Sequence, residues 1–481
     1  MSPTLLAFAI TTVMTSTSVT AADSADLSIY RSDNDQLFSA ADHGSVSAGY
    51  ALVHETRQIR LDSGQQVVNL DGLPAQIDTE ALDLYFPGRD DIRRIASRVL
   101  LPGQAGLLST LVGEKVVVYG DSGQQLASGT LEGTGNGLLV RGSDGKLMLV
   151  HRYAAVSLGQ TGVRGGTRLQ QTVTAGKSGP ATARLDYPTS GMGWRASYSA
   201  TLAEDHGHCR LNLRSQASIA NRSGRGWQAA TLKLIAGEPN FGKSSAPRPQ
   251  MMRATFAAAA PAPENNPQQS SMGDYRSYTV SGAVDLPDDS ITQLPLYAEQ
   301  ALDCHRSRVF EHGSAWLPSQ PQLARDFNRG GDNTVTSRLK FKAFDNMPAG
   351  YLRVTGIFDG KRELLGEVRV PDTPEGRPLD VALGTAFDLR GERERTSFSL
   401  DKAGHTLDES FRITLTNGGE QKRTVTVREH PNRWRHWTLL SSSSKPSAKS
   451  PDTLEFELDV PPHGTAVLDY ALRYHWTASD E

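Results

Sequence analysis

From Trp194 to Leu202 every second residue is apolar: Trp194, Ala196, Tyr198, Ala200 and Leu202 alternate with Arg195, Ser197, Ser199 and Thr201. A strand turns successive side chains to opposite faces, so this period demands a sheet with one dry side and one wet side. A helix of about 3.6 residues per turn cannot hold it. The pattern recurs in Leu211 and Leu213, Leu232 and Leu234, Tyr278 to Leu286, Phe411 to Leu415, Phe456 to Val460, and Ala466 to Trp476. Forty-five glycines and 25 prolines in 481 residues fit the many turns that such a chain needs.

Organisation follows from where the alternation starts, stops and changes. Leu5 to Met14 is an apolar run of signal-peptide length, and Val19-Thr20-Ala21-Ala22 offers small residues for cleavage. The n-region is atypical in lacking Lys and Arg, and the competing reading is a buried first strand. Residues 1–22 are read as a signal peptide, which sends the chain to the periplasm or outside the cell. No later stretch reaches about 18 consecutive apolar residues, so no membrane span is expected. Residues 23–100 read as an N-terminal β region. It contains strands Ser45 to Arg60 and Gln65 to Leu70 about the turn Asp62-Ser63-Gly64, and a short helix over 89–97. Residues 101–160 hold five short strands in quick succession, the pattern of a small SH3-like or Sm-like barrel insert.

Residues 161–345 are expected to form a central antiparallel β domain, broken by a Pro-, Gln- and Ser-rich disordered loop over 241–276. Residues 346–481 read as a C-terminal immunoglobulin-like β-sandwich, with Asn417-Gly418-Gly419 as a hairpin turn and Ser441 to Pro451 as a polar insert. The fold class is thus all-β: antiparallel sandwich domains with a small barrel insert and a C-terminal immunoglobulin-like sandwich. Lys+Arg 50 against Asp+Glu 53 leaves a formal charge of −3, which argues against nucleic acid as a partner.

Cys209 and Cys304 are the only cysteines. Three readings stay open: a disulfide, two free thiols, or a metal site with His206, His208 and His305. Neither cluster has zinc-knuckle spacing, and adjacent residues on a strand point to opposite faces. Gly237-Glu238-Pro239-Asn240-Phe241-Gly242-Lys243-Ser244 satisfies the phosphate-loop pattern after a strand. The mechanism also needs a helix starting at Lys243, and Pro247 and Pro249 oppose one, so the match is read as coincidence. Ser399 to Lys402, Ser32-Asp33-Asn34 and Lys177-Ser178-Gly179 resemble fragments of a serine acylation site, but in scrambled order. Asp90-Asp91 and Asp288-Asp289 read as turn residues. In His430 to Trp437, Trp434 and Trp437 with Arg433 and Arg435 are candidates for stacking a sugar ring or gripping an anionic glycan. The competing reading puts those tryptophans in the core.

Several stretches together resemble the bacterial family that carries the domain of unknown function 4139. They are Tyr187 to Tyr198, Ile219 to Gly237, MPAGYLRV, LLGEVRVPDTPEG, FRITLTN and LDYALRY, with Gly-x-x-Trp and Asn-x-[Ser-Gly] signatures in the expected order. Val46 to Leu84 also match the family's opening. The resemblance implies an exported or envelope-associated β protein with no established activity and no recognised catalytic residues. The coiled coil of the family's long members is missing, and the barrel insert stands in that neighbourhood. No residue is assigned a catalytic, cofactor-binding or metal-binding role, and no cofactor is expected. The leading reading is a non-catalytic envelope protein that binds or scaffolds a partner, another envelope protein or a glycan. The alternatives are a hydrolase of cell-wall or extracellular polymer and a glycan-binding module.

Overall fold

The structure is a computed structural model, and it describes residues 16–19, 24–41, 46–101, 108, 111–158, 166–205, 208–237, 267–327 and 333–480. Strands account for 65% of the chain and helix for 2%, so the period-two pattern carried the fold class. The chain divides into two compact units, Met1–Arg195 with Ala217–Pro295, and Ala196–Gln216 with Leu296–Glu481.

In the first unit, the strands Ala51–Leu61 and Gly64–Leu73 follow one another about Asp62-Ser63 as expected, but enter different sheets. Ala51–Leu61 lies between Ser24–Tyr30 and Gly179–Thr189, while Gly64–Leu73 joins a second sheet beside Thr167–Ala175. The expected helix over 89–97 is instead the strand Ile92–Leu100, paired along Thr167–Ala175. Ladder bonds to a neighbour outweigh weak local helix preference, and a bulge absorbs Ile95 at this sheet edge. Part of the expected disordered loop is ordered too. Gln268–Met272 and Tyr275–Thr279 form a hairpin, with Gly273 at φ 60 in its two-residue turn. Residues 241–266 of that loop lie outside the described residues, as does the apolar run 5–14. Ser16–Val19 pairs parallel to Val67–Leu70.

The five short strands expected between 101 and 160 are all present: Lys115–Tyr119, Gln125–Gly133, Leu138–Arg141, Leu147–Val150 and Ala155–Leu158. They bury Val116, Val118, Ala127, Leu131, Leu138, Val140 and Val150 together. The barrel expectation needs correction, because the sheet is open. Among the described residues Leu147–Val150 pairs only with Leu138–Arg141, and Ala155–Leu158 only with Lys115–Tyr119, so the two end strands are not paired.

The second unit is a two-layer sandwich. Pro378–Asp401, Thr406–Asn417, Gly464–His475 and Trp437–Ser442 pair in that order in one layer. Val309 to His312, Arg423–Glu429 and Leu454–Val460 form the other. Phe310, Val425, Val427 and Phe456 meet Ile413, Leu415, Leu468 and Tyr470 between them. Asn417-Gly418-Gly419 is not a hairpin turn, since the strand after it leaves for the opposite layer and runs parallel to Val309–His312. Asn417 holds this corner. Its Nδ2 donates to the Gln421, Val460 and Pro461 carbonyls at 2.8, 3.3 and 3.1 Å, and its Oδ1 accepts from Gly419 N at 3.0 Å.

The first unit repeats the device. Asn221 donates to the Arg225, Leu286 and Pro287 carbonyls and accepts from Ser223 N, and the strand after it runs parallel to Ser24–Tyr30. The sheets are therefore mixed rather than purely antiparallel. Ala196 to Leu202 also runs parallel to Gly350 to Gly356, where a Cβ on Gly350 would stand 2.1 Å from the Ala196 carbonyl oxygen.

Candidate functional site

The His430 to Trp437 segment leads into a buried cluster of charges. Thr406–Asn417 points Leu407, Glu409, Phe411, Ile413 and Leu415 inward, which places one carboxylate on an otherwise apolar phase. Arg393 and Arg395 enter from the neighbouring strand and Glu429 from the opposite layer. Arg433 donates Nε and Nη2 to the two Glu409 carboxylate oxygens at 2.8 and 2.9 Å. Its remaining donors reach the carbonyls of Gln322, Ala324 and Phe327. Arg395 donates to Glu409 at 3.1 Å and Arg393 to both oxygens of Glu429 at 3.1 Å. Arg393 also lies over the Phe411 ring, 3.7 Å from its centroid.

Burial opposes the charge on Arg393, but Glu429 and Tyr470 beside it hold its pKa above the ordinary arginine value. Burial, then Glu429, pushes the Tyr470 hydroxyl far above its ordinary range, and burial with Glu409 does the same to Tyr474. The crevice bounded by Phe327, Arg393, Glu409, Glu429, Arg433 and Tyr474 has room for about one water. No substrate fits there.

The glycan candidates sit around this cluster. Trp434 is 1% exposed and Arg433 2%, so neither offers a face or a donor to an external sugar. Arg435 is exposed and lies over the Trp434 ring at 4.4 Å. Trp437 is half-buried, its Nε1 donates to the Pro451 carbonyl at 2.6 Å, and Lys449 covers its ring at 4.9 Å.

A second cluster in the first unit has the same design. Ala51–Leu61 points Glu55 and Arg57 inward among Val53, Ile59 and Leu61. Arg57 donates Nε and Nη2 to one Glu55 oxygen at 3.1 and 2.8 Å, and Nη1 to the Asp71 carbonyl. Tyr187 and Arg225 donate to the other oxygen. Burial pushes the Glu55 carboxyl up, yet Arg225 and Arg57 hold it below the usual glutamate range. Burial and Glu55 push Tyr187 far above its own. The signal for both clusters was in the sequence: a Glu or Arg in phase with the apolar residues of a strand, at 55, 57, 409 and 429.

Cys209 and Cys304 are bonded across adjacent strands, with their Cα atoms 5.0 Å apart. His208 and His305 are exposed beside them, His206 lies outside the described residues, and no group able to hold a metal occurs among those described. The phosphate-loop match lies outside the described residues from Glu238 onward. Asn34 caps the helix Asp35–Phe38, Oδ1 accepting from Gln36 N at 2.9 Å, which accounts for Ser32-Asp33-Asn34. Ser178 Oγ accepts from Ser63 N, and Ser399 lies within Pro378–Asp401. Asp91 is held by Arg89, Asp288 accepts from Gly224 N, and Asp289 binds Arg222.

The exposed apolar side chains concentrate elsewhere. Leu147, Met148 and Leu149 are 51, 49 and 51% exposed on one end strand of the five-stranded sheet. Ile357, Phe358 and Leu364 are exposed at the hairpin of Gly350–Phe358 and Lys361–Val370, whose second strand ends the largest sheet. Phe387 is 89% exposed. The family model described as Domain of unknown function (DUF4139) matches residues 183–478. No curated protein and no solved structure matches the chain.

Proposed function

The chain belongs to the DUF4139 family, and from that premise we propose that it is a non-catalytic binding or scaffolding protein of the bacterial envelope, exported by its N-terminal segment. The observation that carries this reading is a division of labour between side chains. The buried carboxylates are gripped by guanidinium groups, and the buried tyrosines are pushed away from any working pH. A general acid or base needs a pKa near that pH. Exposed apolar side chains, by contrast, line two strands that end their sheets, Leu147–Val150 and Lys361–Val370, where backbone groups and side chains together accept a partner. The Cys209–Cys304 bond supports export, because disulfides persist in oxidising compartments.

The test places a photo-crosslinking residue at Leu149 or Phe387 of the full chain in cells. Expected are fractionation with the periplasm or medium and a discrete, protease-sensitive crosslinked species. The purified protein is expected to release nothing from cell-wall sacculi or extracellular polysaccharide. Released fragments would favour the hydrolase alternative, and retention on a polysaccharide that depends on Trp437 and Arg435 would favour a glycan-binding module.

A further inference from the structure

We propose that Leu147–Val150 is the docking edge for one extended segment of another polypeptide, apolar at its centre and acidic at both ends, which adds a sixth strand to the five-stranded sheet. This rests on the binding reading above and names the place and chemistry of the partner. Leu138–Arg141 covers one side of the strand, and among the described residues no strand covers the other. Met148 shares a face with buried Val150 and lies across from Val140, while Leu147 and Leu149 lie on the opposite face across from Arg141 and Leu139. Side chains on both faces are half in water, and an added strand covers both at once.

The backbone phase agrees. Gly142 N donates to Lys146 O at 2.9 Å, which makes 142 and 146 a bonded pair. Bonded and non-bonded pairs alternate along an antiparallel ladder, so Met148 bonds inward to Val140. The N–H and C=O groups of Leu147 and Leu149 then point outward, away from the sheet.

Charge selects the occupant. Exposed Lys146 precedes the strand, exposed His151 and Arg152 follow it, and Arg141 flanks Leu147; Asp144 and Glu132 offset Lys146 and Arg141 in part. A second copy docked antiparallel would set Lys146 against His151 and Arg152. A parallel copy would set each cation beside its twin. A segment with Asp or Glu at both ends meets opposite charge at both.

The test uses the oxidised full chain and two fluorescent peptides, DEVTVTVED and KKVTVTVKK, followed by anisotropy. The acid-ended peptide is expected to bind about tenfold or more tightly than the basic one. Leu149→Pro removes one outward N–H and leaves the inward ladder intact, and is expected to weaken that binding about tenfold or more. Leu149→Glu keeps the donor, adds a like charge, and is expected to weaken it too, with circular dichroism confirming the fold of both variants. Equal binding of the two peptides, no binding of either, or indifference to both substitutions would overturn the proposal. So would a concentration-dependent dimer abolished by Leu149→Pro, which would assign the edge to a second copy. If peptides fail here while Phe387 still crosslinks a protein in cells, this inference falls and the binding reading stands. Fragment release from sacculi without any crosslink removes both.

Discussion

Arg433 makes five hydrogen bonds at a fully buried position, two of them to Glu409. Arg433→Met leaves Glu409 with Arg395 alone and strands three carbonyls, so urea unfolding should show a loss of about 3–5 kcal/mol. Arg433→Lys should recover little, because an ammonium cannot reproduce the planar fork. His430 is a second residue with a definite expectation. Its Nδ1 faces the Asp452 carbonyl and its Nε2 the Glu311 carboxylate, both at 2.9 Å. Two acceptors require two donors, which only the imidazolium supplies.

The hydrogen bond to Glu311 raises His430 above its ordinary 6.5 against burial, and His430 in turn lowers Glu311 below its ordinary 4.5. A raised histidine stabilises fully below 6.5 and loses that contribution as pH climbs through its folded value. The lowered glutamate loses its share as pH falls through its own. Arg428, Arg338 and Asp452 also face the pair, and Glu455 holds Arg428, so the net effect stays within about 1 kcal/mol. The unfolding midpoint should drop on the alkaline side in the parent and stay flatter in His430→Gln. At this scale the sequence was half legible. It singled out Arg433 as chemically busy, a candidate for gripping a glycan, because proximity along the chain to Trp434 and Arg435 does not reveal that Glu409 is its partner.

Elements were legible where alternation was strong and illegible where a single side chain redirected the chain. Trp194 to Leu202 and Ala466 to His475 became strands as their period required, with Trp476 just past the end of the second. Residues 89–97 misled because their apolar spacing is sparse, and only the partner strand Thr167–Ala175 decides the matter. Asn417-Gly418-Gly419 carries a hairpin signal, yet the Asn417 amide bonds carbonyls across the corner, which sends the next strand to the other layer. Asn417→Ala should cost about 1–3 kcal/mol in thermal or urea unfolding. Asn417→Asp should cost more, since a carboxylate would face three carbonyls with nothing to donate. Asn221 makes the matching set of bonds, so Asn221→Ala should show a loss of the same order. The recurring Asn-x-[Ser-Gly] signature was therefore a structural device read first as a family mark.

For the whole molecule, an all-β chain was readable because period two leaves no other fold class. The open five-stranded sheet was not, since strand count and turn spacing are the same whether the end strands meet or stay apart. The disulfide links residues 95 apart in sequence, a closure worth about 4 kcal/mol. The Cys209→Ser/Cys304→Ser variant should lose stability on that scale, and reductant should reproduce the loss in the parent. The central claim is that the interior charges hold the fold while a bare sheet edge does the binding. Amide hydrogen exchange on the oxidised full chain, with and without saturating DEVTVTVED, tests it most directly. The account predicts fast exchange at Leu147 and Leu149, slowed by the peptide, against slow and unchanged exchange along Thr406–Asn417 and Ala51–Leu61. Protection by the peptide around Glu409 and Arg433, with the 147–149 amides unaffected, would contradict it.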